Sequence, residues 1–345
     1  MSGFDQIVRA HAARYPRMDP QDYGKLAYQS EFGPEHLIRD RDHVRVMLEQ
    51  ELAVSAGPAI PPEPIGNGLC RFHLEGLDTD AALLLLELFC RTAAEHQGTR
   101  EGLEARLAVL EALTVPGMDA WLARWRAEGC PAVSHSQTFR DAYAPHYRLL
   151  AEPYARFFPA LLAVDRLVRS GRPAIVAIDG RCGSGKTTLA ALLARLFPCN
   201  VFHADDFYLP FAARRPDWRT TPLGNMDLGR LRREVLEPAR LGKEIAYRAY
   251  DCPHDALRPA LLLPPRPLTV VEGSYSLAPA LRPYYDLTVF LTCSQAEQAA
   301  RLQAREGAYY PAFPACWIPL EEDYHRTYDV EHAADLVADT TAFSR

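Results

Sequence analysis

Lysine is scarce in this chain of 345 residues. Three of its 38 basic residues are lysine, namely Lys25, Lys186 and Lys243, and the remaining 35 are arginine. An arginine excess of this kind is typical of a GC-rich coding sequence, so the position of each retained lysine is informative. The 44 acidic residues leave a net charge of −6. This balance argues against a nucleic-acid-binding protein, because such proteins usually carry a basic face.

The chain also lacks long apolar runs and paired cysteines. Its longest apolar runs, such as residues 81–86, are far shorter than the roughly 20 residues that span a bilayer. No basic segment followed by an apolar stretch opens the sequence, so no secretory signal is expected. The eight cysteines form no C-x-x-C pair, which argues against a structural zinc site and a disulfide framework. These absences predict a cytoplasmic protein with reduced thiols and no membrane partner.

The hydrophobic pattern changes character near residue 172. Before that point, apolar residues recur at three- to four-residue spacing, and this predicts helices over 4–15, 20–30, 36–54, 79–96, 100–113, 118–128 and 152–170. Ser134 followed by Gln137 fits a capping box and predicts a further helix toward Leu150. One short strand is predicted over 69–74. We therefore predict a mostly α-helical domain over residues 1–170, which carries 18 basic and 23 acidic residues.

After residue 172, short apolar runs alternate with helical patterns. The apolar runs predict strands over 174–178, 200–203, 268–271, 287–292 and 335–338, and helices are predicted over 186–196, 227–241 and 294–306. Alternation of this kind implies a parallel sheet with right-handed crossovers. The second predicted domain, residues 171–345, is therefore of the α/β class, with a sheet flanked by helices.

The strongest motif is the segment Gly180-Arg181-Cys182-Gly183-Ser184-Gly185-Lys186-Thr187. It matches G-x-x-x-x-G-K-[ST] at every fixed position and stands between a predicted strand and a predicted helix. Its glycines let the backbone wrap an anion and point N–H groups at phosphates. Lys186 would place a charge on the β- and γ-phosphates, and the Thr187 hydroxyl would bind Mg²⁺. The α/β domain is thus predicted to be a P-loop NTPase fold that uses ATP and Mg²⁺.

The predicted nucleotide-binding residues are Gly180, Cys182, Gly183, Ser184, Gly185, Lys186, Thr187 and Thr188. Two interpretations of Cys182 stay open. It is either a small tolerated loop residue or a thiol whose pKa falls beside a helix N-terminus, which makes it reactive. Lys25 and Lys243 lie in no such motif and are interpreted as ordinary surface residues.

An acidic pair, Asp205 and Asp206, follows the predicted strand 200–203. Because the carboxyl ends of parallel strands meet at one edge of a sheet, this pair should face the same crevice as the glycine-rich loop. Acids beside a triphosphate are useful where they hold Mg²⁺ or accept a proton from an acceptor hydroxyl. One of the two could instead be a helix N-cap, and His203 is interpreted as a packing residue at the strand end.

These residues resemble the uridine kinase and phosphoribulokinase family of P-loop kinases. The matching segments are Ile178–Thr188, Asp205–Tyr208, Asn225–Asp227, Ala249–Asp251, Val271–Gly273 and an arginine-rich stretch from Arg301. Their order and spacing agree from Pro173 to Ala338. The N-terminal half lies outside the resemblance, although its segments 31–38 and 134–136 look like an added domain of some bacterial uridine-kinase-like proteins.

The resemblance implies a role for each matching residue. Asp205 would be the general base for the acceptor hydroxyl and would approach Mg²⁺, while Glu272 would hold Mg²⁺ directly or through water. Asp227 would bind sugar hydroxyls of the acceptor, and Tyr250 would border it. The expected substrate-binding set is Asp206, Tyr208, Asp227, Tyr250 and His254.

The remaining catalytic candidates are two arginines of a lid, Arg301 and Arg305, which would bring guanidinium groups onto the transferring phosphoryl group. The chain departs from the family pattern at two places. His254 follows Tyr250 by four residues rather than five, and the stretch after Arg305 lacks the usual lid sequence, so Arg301 is the better match. A solvated helix face is the alternative interpretation of both arginines.

Together these features predict an ATP- and Mg²⁺-dependent kinase, a phosphotransferase with an alcohol group as acceptor. A nucleoside is the leading small-molecule acceptor. Other alcohols (a sugar phosphate, a pantothenate-like or glycerate-like molecule, or a hydroxyl on a larger molecule) remain open, as does a nucleotide-hydrolysing switch without an acceptor. No nucleic-acid partner is expected, and the composition leaves homo-oligomerisation open.

For the N-terminal half, three hypotheses stay open. A second active site could be built from Glu35, His36, His135 and Arg148. The same residues could be helix caps and buried polar groups with satisfied hydrogen bonds. Alternatively, the domain could shape the acceptor pocket of the kinase half.

Overall fold

The computed structural model describes residues 3–38 and 40–341. The chain forms two compact units, of which the first ends at Arg156 and the second begins at Phe157. Within the described residues, no helix combines the length and apolar character that a membrane crossing requires.

The first unit is mostly helical, as the apolar spacing predicts. Its helices are α1 (Gly3–Arg14), α2 (Pro20–Phe32), α3 (Arg41–Leu52), α4 (Thr79–Glu95), α5 (Arg100–Glu111), α6 (Met118–Ala127), α7 (Gln137–Tyr143) and α8 (Glu152–Arg156), with a 3-10 turn at Glu35–Leu37. Several helices start at a capping side chain, as α4 does, where Asp78 accepts a hydrogen bond from the Ala81 amide at 2.9 Å. The core of the unit includes Leu26, Leu103 and Trp125, all buried.

A three-stranded antiparallel sheet completes this unit. Its strands are β1 (Glu63–Gly66), β2 (Leu69–His73) and β3 (Tyr147–Ala151), in the order β1-β2-β3. Only the middle strand is predicted from the sequence. The register places Arg71 opposite Glu63 and His73 opposite Tyr147. Since alternate residues share a face of a sheet, these four polar side chains lie on one face.

The helix predicted from Ser134 toward Leu150 forms, but it starts later and is much shorter than predicted, spanning Gln137–Tyr143. The N-cap is Ser136 rather than Ser134, and its Oγ accepts a hydrogen bond from the Phe139 amide at 3.1 Å. The helix ends at Tyr143 because Ala144 adopts a left-handed conformation, with φ of 39°, directly before a proline. The chain then pairs with β2, which buries the leucines that the pattern had assigned to the helix.

The second unit is an α/β domain, which confirms the predicted fold class. Five parallel strands, β4 (Ala174–Gly180), β5 (Cys199–His203), β10 (Leu268–Glu272), β11 (Leu287–Thr292) and β12 (Leu336–Asp339), form a sheet in the order β12-β11-β4-β10-β5. The larger helices are α9 (Phe158–Arg169), α10 (Lys186–Leu196), α13 (Gln295–Glu306) and α14 (Ile318–Thr327). Two short ribbons pair β6 (Ile245–Tyr247) with β9 (Leu261–Leu263) and β7 (Tyr250–Asp251) with β8 (Ala256–Leu257).

Two predicted helices are interrupted. The stretch predicted over 227–241 forms α11 (Leu228–Leu231), a π-helical turn at Arg232–Leu236 and α12 (Glu237–Arg240). Pro238 lacks the amide hydrogen that a regular helix needs there, and the wider turn precedes it. The stretch predicted over 152–170 breaks into α8 and α9. The predicted junction at residue 171 follows α9, whereas α9 belongs to the second unit, where it packs on β4 and β11.

The strand order brings three chain segments to one edge of the sheet. The central strand β4 ends in the glycine-rich loop, and β10 lies between β4 and β5. The register places Glu272 beside both His203 and Ile178. The carboxyl ends of β4, β5 and β10 therefore converge, which is where ligands bind in open α/β sheets.

Candidate active site

The loop from Gly180 to Thr187 joins β4 to α10 and has a conformation that requires glycine. Gly180, Gly183 and Gly185 have positive φ angles of 136°, 75° and 100°. A Cβ at Gly180 would lie 2.0 Å from the Leu291 carbonyl oxygen. The Lys186 ammonium donates hydrogen bonds to the loop carbonyls of Gly180 at 2.6 Å and Arg181 at 3.2 Å. The loop thus curls around its own lysine at the N-terminus of a helix, a natural anion site.

Glu272 connects the loop with the end of β10. Its side chain is buried, and the Thr187 hydroxyl donates to its Oε1 at 3.3 Å. His203 Nδ1 lies 2.5 Å from the same oxygen, and this contact raises the pKa of His203. The structure therefore brings together Thr187 and Glu272, two of the three residues predicted to bind Mg²⁺, and it adds His203, which the sequence suggested was a packing residue. The position of His203 at a strand end beside the loop is the signal that could have identified it.

Asp205 lies in a 3-10 turn, Ala204–Phe207, directly after β5. The Tyr208 hydroxyl donates a hydrogen bond to its Oδ1 at 3.0 Å. Loss of hydration among the surrounding atoms raises the pKa of Asp205, as do the charges of Glu272 and Glu321, while Tyr208 and Lys186 oppose this rise. A carboxylate with a raised pKa is a stronger proton acceptor, so Asp205 has the properties of a general base.

The neighbouring candidates for the acceptor site differ in their surroundings. The half-buried Asp206 has a pKa raised by desolvation, and its backbone carbonyl accepts a hydrogen bond from Arg230 at 2.7 Å. Asp227 is the N-cap of α11, where its Oδ1 accepts from the Arg230 amide at 2.9 Å. The Tyr250 hydroxyl donates to Asp255 at 2.5 Å. His254 pairs with the carboxylate of Asp251, and its side chain is 78% exposed.

The guanidinium group of Arg214, which the sequence did not indicate, lies against the rings of two of these candidates, Tyr208 and Tyr250. The Arg214 guanidinium carbon lies 5.8 Å from the ring centre of Tyr208 and 5.9 Å from that of Tyr250. It also lies 4.3 Å from the ring of Phe211 and 5.2 Å from that of Trp218. Cation–π contacts of this kind stabilise a positive charge against aromatic faces. Three of the four rings lie within six residues of Arg214 in the chain, and Tyr250 comes from a separate segment. No known motif in the sequence marks this arginine.

The two arginines of the predicted lid, Arg301 and Arg305, have different hydrogen-bond and ion-pair partners. Arg301 pairs with Glu297 at 2.9 Å and donates to the Gly183 carbonyl at 3.1 Å and the Thr340 carbonyl at 2.7 Å. The Arg301 side chain is thus bound to the glycine-rich loop through the Gly183 carbonyl. Arg305 pairs with Glu306 at 2.6 Å, and its side chain is 57% exposed. In this conformation Arg305 is the more accessible of the two guanidinium groups.

Helix α14 supplies further contacts to the loop. The Glu321 carboxylate accepts hydrogen bonds from the Cys182 amide at 3.0 Å and from the Ser274 hydroxyl. The Tyr324 hydroxyl donates to Asp179 at 2.9 Å. The sequence analysis missed both residues, since they lie about 140 positions after the loop and match no motif.

The hypothesis that Cys182 is a reactive thiol is wrong. The side chain is buried, and desolvation together with the nearby Glu321 carboxylate raises its pKa. These two effects outweigh the favourable charges of Lys186 and Arg305, which lower the pKa. Cys182 therefore serves as a small loop residue in this structure.

In the first unit, the four residues proposed for a second active site do not form one constellation. His135 contacts Asp22 and Tyr147, whereas Arg148 pairs with Glu51 at 2.7 Å. Arg148 and Tyr147 are neighbours on a strand, so their side chains point to opposite faces. Glu35 and His36 lie in a separate 3-10 turn.

No family model and no curated protein sequence matches the chain. Solved structures match its C-terminal half. A possible uridine kinase from Bacillus stearothermophilus shares 22% identity, with 52% of this chain and 100% of that chain covered, at a TM-score of 0.41. A candidate fructose transport system kinase from a Silicibacter species shares 24% identity, covering 51% and 97%, also at 0.41. A D-glycerate 3-kinase from Cryptococcus neoformans shares 15% identity, covering 48% and 88%, at 0.34.

Proposed function

We propose that the second unit transfers a phosphoryl group from ATP to a hydroxyl of a small molecule, with a nucleoside as the leading acceptor. The observation that carries this proposal is the position of Asp205. Its carboxylate stands at the strand edge where Lys186 and Glu272 are close enough to change its pKa. A base beside a phosphate-binding loop is the arrangement that phosphoryl transfer to an alcohol requires.

The residues present fit ATP and Mg²⁺. Gly180, Gly183 and Gly185 have positive φ angles, which glycine adopts without strain, and form a backbone cradle in which a side chain would be obstructed or strained. Thr187 and Glu272 provide a hydroxyl and a buried carboxylate, which are hard oxygen ligands of the kind that Mg²⁺ prefers. When bound, Mg²⁺ would neutralise charge on the phosphoryl oxygens.

The chain's own residues would then act in three ways. Asp205 accepts the proton of the acceptor hydroxyl, and Tyr208 holds the carboxylate through its hydrogen bond. Lys186 and the loop amides stabilise negative charge on the phosphates. A lid arginine, for which Arg305 is the more accessible candidate, closes over the transferring group. Positioning and charge neutralisation of this kind supply most of the catalysis in phosphoryl transfer.

A second acceptor class is an alcohol that also carries an anionic group, such as a hydroxy acid or a sugar phosphate. Arg214 favours it, because its guanidinium lies against Tyr208, whose hydroxyl holds Asp205. The exposed position of His254 also gives no support for a base-contacting histidine. Both classes share the phosphate site and the base and differ in the distal part of the acceptor.

The test is a screen of nucleosides, hydroxy acids and sugar phosphates for ATP-dependent phosphorylation, with products identified by mass. Lys186→Ala should abolish product formation, while Lys243→Ala, which alters an exposed lysine, should leave it intact. A product from one acceptor class supports the proposal. ATP hydrolysis at the same rate with and without every acceptor would contradict it and favour a hydrolytic switch.

A further inference from the structure

The first unit contains a cavity of about 820 Å³. One face of α1, part of α5 and residues 66–68, where β1 turns into β2, line it, and its apolar wall includes Phe4, Ile7 and Val109. Small-molecule sites have volumes of roughly 300–1,000 Å³ and combine an apolar wall with a few polar groups. The cavity has both properties, and the proposed kinase chemistry uses none of the residues that line it.

One polar group on the cavity wall is His11 of α1, whose side chain is almost fully buried. Its Nε2 lies 3.0 Å from the Pro64 carbonyl oxygen. Burial lowers the pKa of His11 to about 4, so the ring is neutral at neutral pH. Because a carbonyl oxygen can only accept, Nε2 carries the proton, and Nδ1 is a hydrogen-bond acceptor. Within the described residues, this Nδ1 has no hydrogen-bond partner.

A second polar group on the wall is the carboxylate of Glu63 on β1, which is also almost fully buried. Its Oε1 accepts a hydrogen bond from the Tyr15 hydroxyl and lies 2.8 Å from Nε of Arg14. Its Oε2 accepts no hydrogen bond from any residue that the structure describes. Burial raises the pKa of Glu63, but the contacts with His73 and Tyr15 outweigh this effect and lower the pKa to about 2. The wall therefore holds a charged carboxylate with one free oxygen.

Glu152, at the start of α8, adds a second carboxylate to the same wall. Its side chain is half-buried and forms no hydrogen bond with the described part of the chain. Desolvation raises the pKa of this carboxyl group, while the charge of Arg156 opposes the rise. A donor or a positive charge inside the cavity would thus stabilise the ionised form.

The two guanidinium groups on the wall already have carboxylate partners. Arg106 pairs with Glu31 and donates from Nε to the Ser30 hydroxyl at 2.9 Å. Arg14 pairs with Glu63, and 49% of its side chain is exposed. The groups left free on the wall, one imidazole nitrogen and the oxygens of two carboxylates, are all acceptors. A wall of this kind is complementary to a ligand that brings N–H donors and positive charge.

We propose that this cavity binds a small organic cation of the class of the aliphatic diamines. The ammonium groups of the ligand donate hydrogen bonds to Glu63, Glu152 and Nδ1 of His11. Its methylene chain packs against the apolar wall at Phe4 and Ile7. A diamine matches the site better than a monoamine, because the two free carboxylates belong to separate segments, β1 and α8. The proposal is independent of the phosphotransferase activity proposed for the second unit.

Isothermal titration calorimetry of the full chain with putrescine, an aliphatic diamine, tests the proposal. The neutral control is the diol with the same carbon chain, which has O–H donors but no charge. We expect putrescine to bind, and the diol to bind at least about tenfold more weakly, since hydrogen bonds between charged groups are the stronger ones. Equal affinities for the two compounds, or no binding of putrescine, would overturn the proposal.

Two pairs of variants locate the binding site. Ala105 and Ala108 are exposed residues of α5, and of the two Ala105 lines the cavity, so Ala105→Leu should weaken putrescine binding and Ala108→Leu should not. Glu152→Gln should weaken binding by about tenfold, with an unchanged circular dichroism spectrum. Glu128→Gln removes the same charge from an exposed residue outside the cavity and should leave the affinity unchanged. Equal affinities within either pair would show that putrescine binds the acidic surface instead, which would overturn the proposal.

Discussion

Asp205 is the residue on which the proposed chemistry depends most directly. Its carboxylate is held by one hydrogen bond, from Tyr208, and lies among other acids and the Lys186 ammonium. Desolvation raises its pKa, which strengthens it as a base but leaves it protonated over a wider acidic range. The same environment that equips the residue for catalysis therefore limits the pH range in which it works.

Asp205→Asn removes the proton acceptor while keeping the size of the side chain. We expect kcat to fall by about 10²–10⁴-fold, the usual contribution of a general base, and ATP affinity to change little. Steady-state kinetics and a nucleotide-binding titration measure the two effects. Asp217→Asn, at an exposed pair with Arg215, is the matched control. Full activity of Asp205→Asn would contradict the assignment.

The pH dependence of the reaction provides a second test at this residue. Because the pKa of Asp205 is raised, the active carboxylate should be lost as the pH falls through a value above the ordinary range for aspartate. The acidic limb of the kcat/KM profile should therefore lie above about pH 4, and it should disappear in Asp205→Asn. A flat profile down to pH 4 would contradict the raised pKa of Asp205 as the source of an acidic limb.

Among the helices and strands, α14 has the most specific relation to the proposed site. Within one turn it presents Glu321 to the loop amide of Cys182 and Tyr324 to the buried Asp179 of β4. Glu321 also accepts from Ser274, which lies in the turn after β10, two residues past the end of the strand. This helix thus connects the loop with the segment that carries Glu272, and it positions both.

Tyr324→Phe removes one hydrogen bond to a buried carboxylate. We expect the free energy of unfolding to fall by about 1–3 kcal/mol, the cost of leaving a buried polar group with one partner fewer, and KM for ATP to rise as the loop loosens. Urea denaturation and steady-state kinetics measure these effects. Tyr328→Phe, on a neighbouring residue whose hydroxyl has no hydrogen bond among the described residues, should change neither quantity. Equal effects of the two variants would contradict the role of α14.

At the scale of the whole molecule, the chain consists of two units, each with its own core. The second unit packs an apolar sheet core that includes Ile175, Phe202 and Phe290. The first unit combines an apolar core with buried histidines. His11 and His135 are almost fully buried, and desolvation lowers the pKa of each to about 4. The stability of the first unit should therefore depend on pH.

The direction in which the stability of the first unit changes with pH follows from proton uptake by these two histidines. In the unfolded chain these imidazoles take up a proton near pH 6.5, whereas in the folded unit they do so only near pH 4. The unfolded state thus binds more protons between these values, and stability falls as the pH falls from 6.5 to 4. We expect a loss of roughly 2–3 kcal/mol for each of the two histidines.

Urea unfolding at pH 7.5 and pH 5 measures this loss. Replacing Trp218 and Trp317 by Phe leaves Trp121 and Trp125 as reporters of the first unit. His332→Gln, at a residue whose side chain is 86% exposed, should leave the pH dependence unchanged, while His11→Gln should reduce it. Unfolding midpoints that are equal at the two pH values would contradict the prediction.

The extent of the second unit leads to a prediction about fragments. Helix α9 buries Leu161 and Val164 completely and packs on β4 and β11. A fragment that starts at Phe157 should therefore be soluble and melt at a higher temperature than one that starts at Gly171, because the shorter fragment exposes an apolar face of the sheet. Expression level and thermal denaturation compare the two. Equal melting temperatures would show that α9 adds nothing to this unit.

Local patterns in the sequence were sufficient for much of this molecule. The five parallel strands, the helix after the loop and the loop itself follow from apolar runs and glycine spacing, because each depends on residues close together in the chain. The order along the chain of the proposed phosphate-binding, catalytic and metal-binding residues, from Lys186 through Asp205 to Glu272, also follows from the sequence. Apolar periodicity likewise predicts most helices of the first unit. It misses two strands, since β1 and β3 are short and their sequences do not alternate between polar and apolar residues.

Tertiary structure alone decided which side chains meet. Glu321 contacts the loop and Tyr324 contacts Asp179 of β4, each from about 140 residues away. Tyr250, one of the aromatic neighbours of Arg214, lies 36 residues after it in the chain. The scarcity of lysine marked Lys186 from the sequence, because a motif surrounds it. Lys25 has no motif and is interpreted from the sequence as a surface residue, but folding leaves it partly buried, with its ammonium donating to the Val133 carbonyl 108 positions away. Desolvation and charge act through space, so a residue's chemistry depends on the neighbours that folding brings to it.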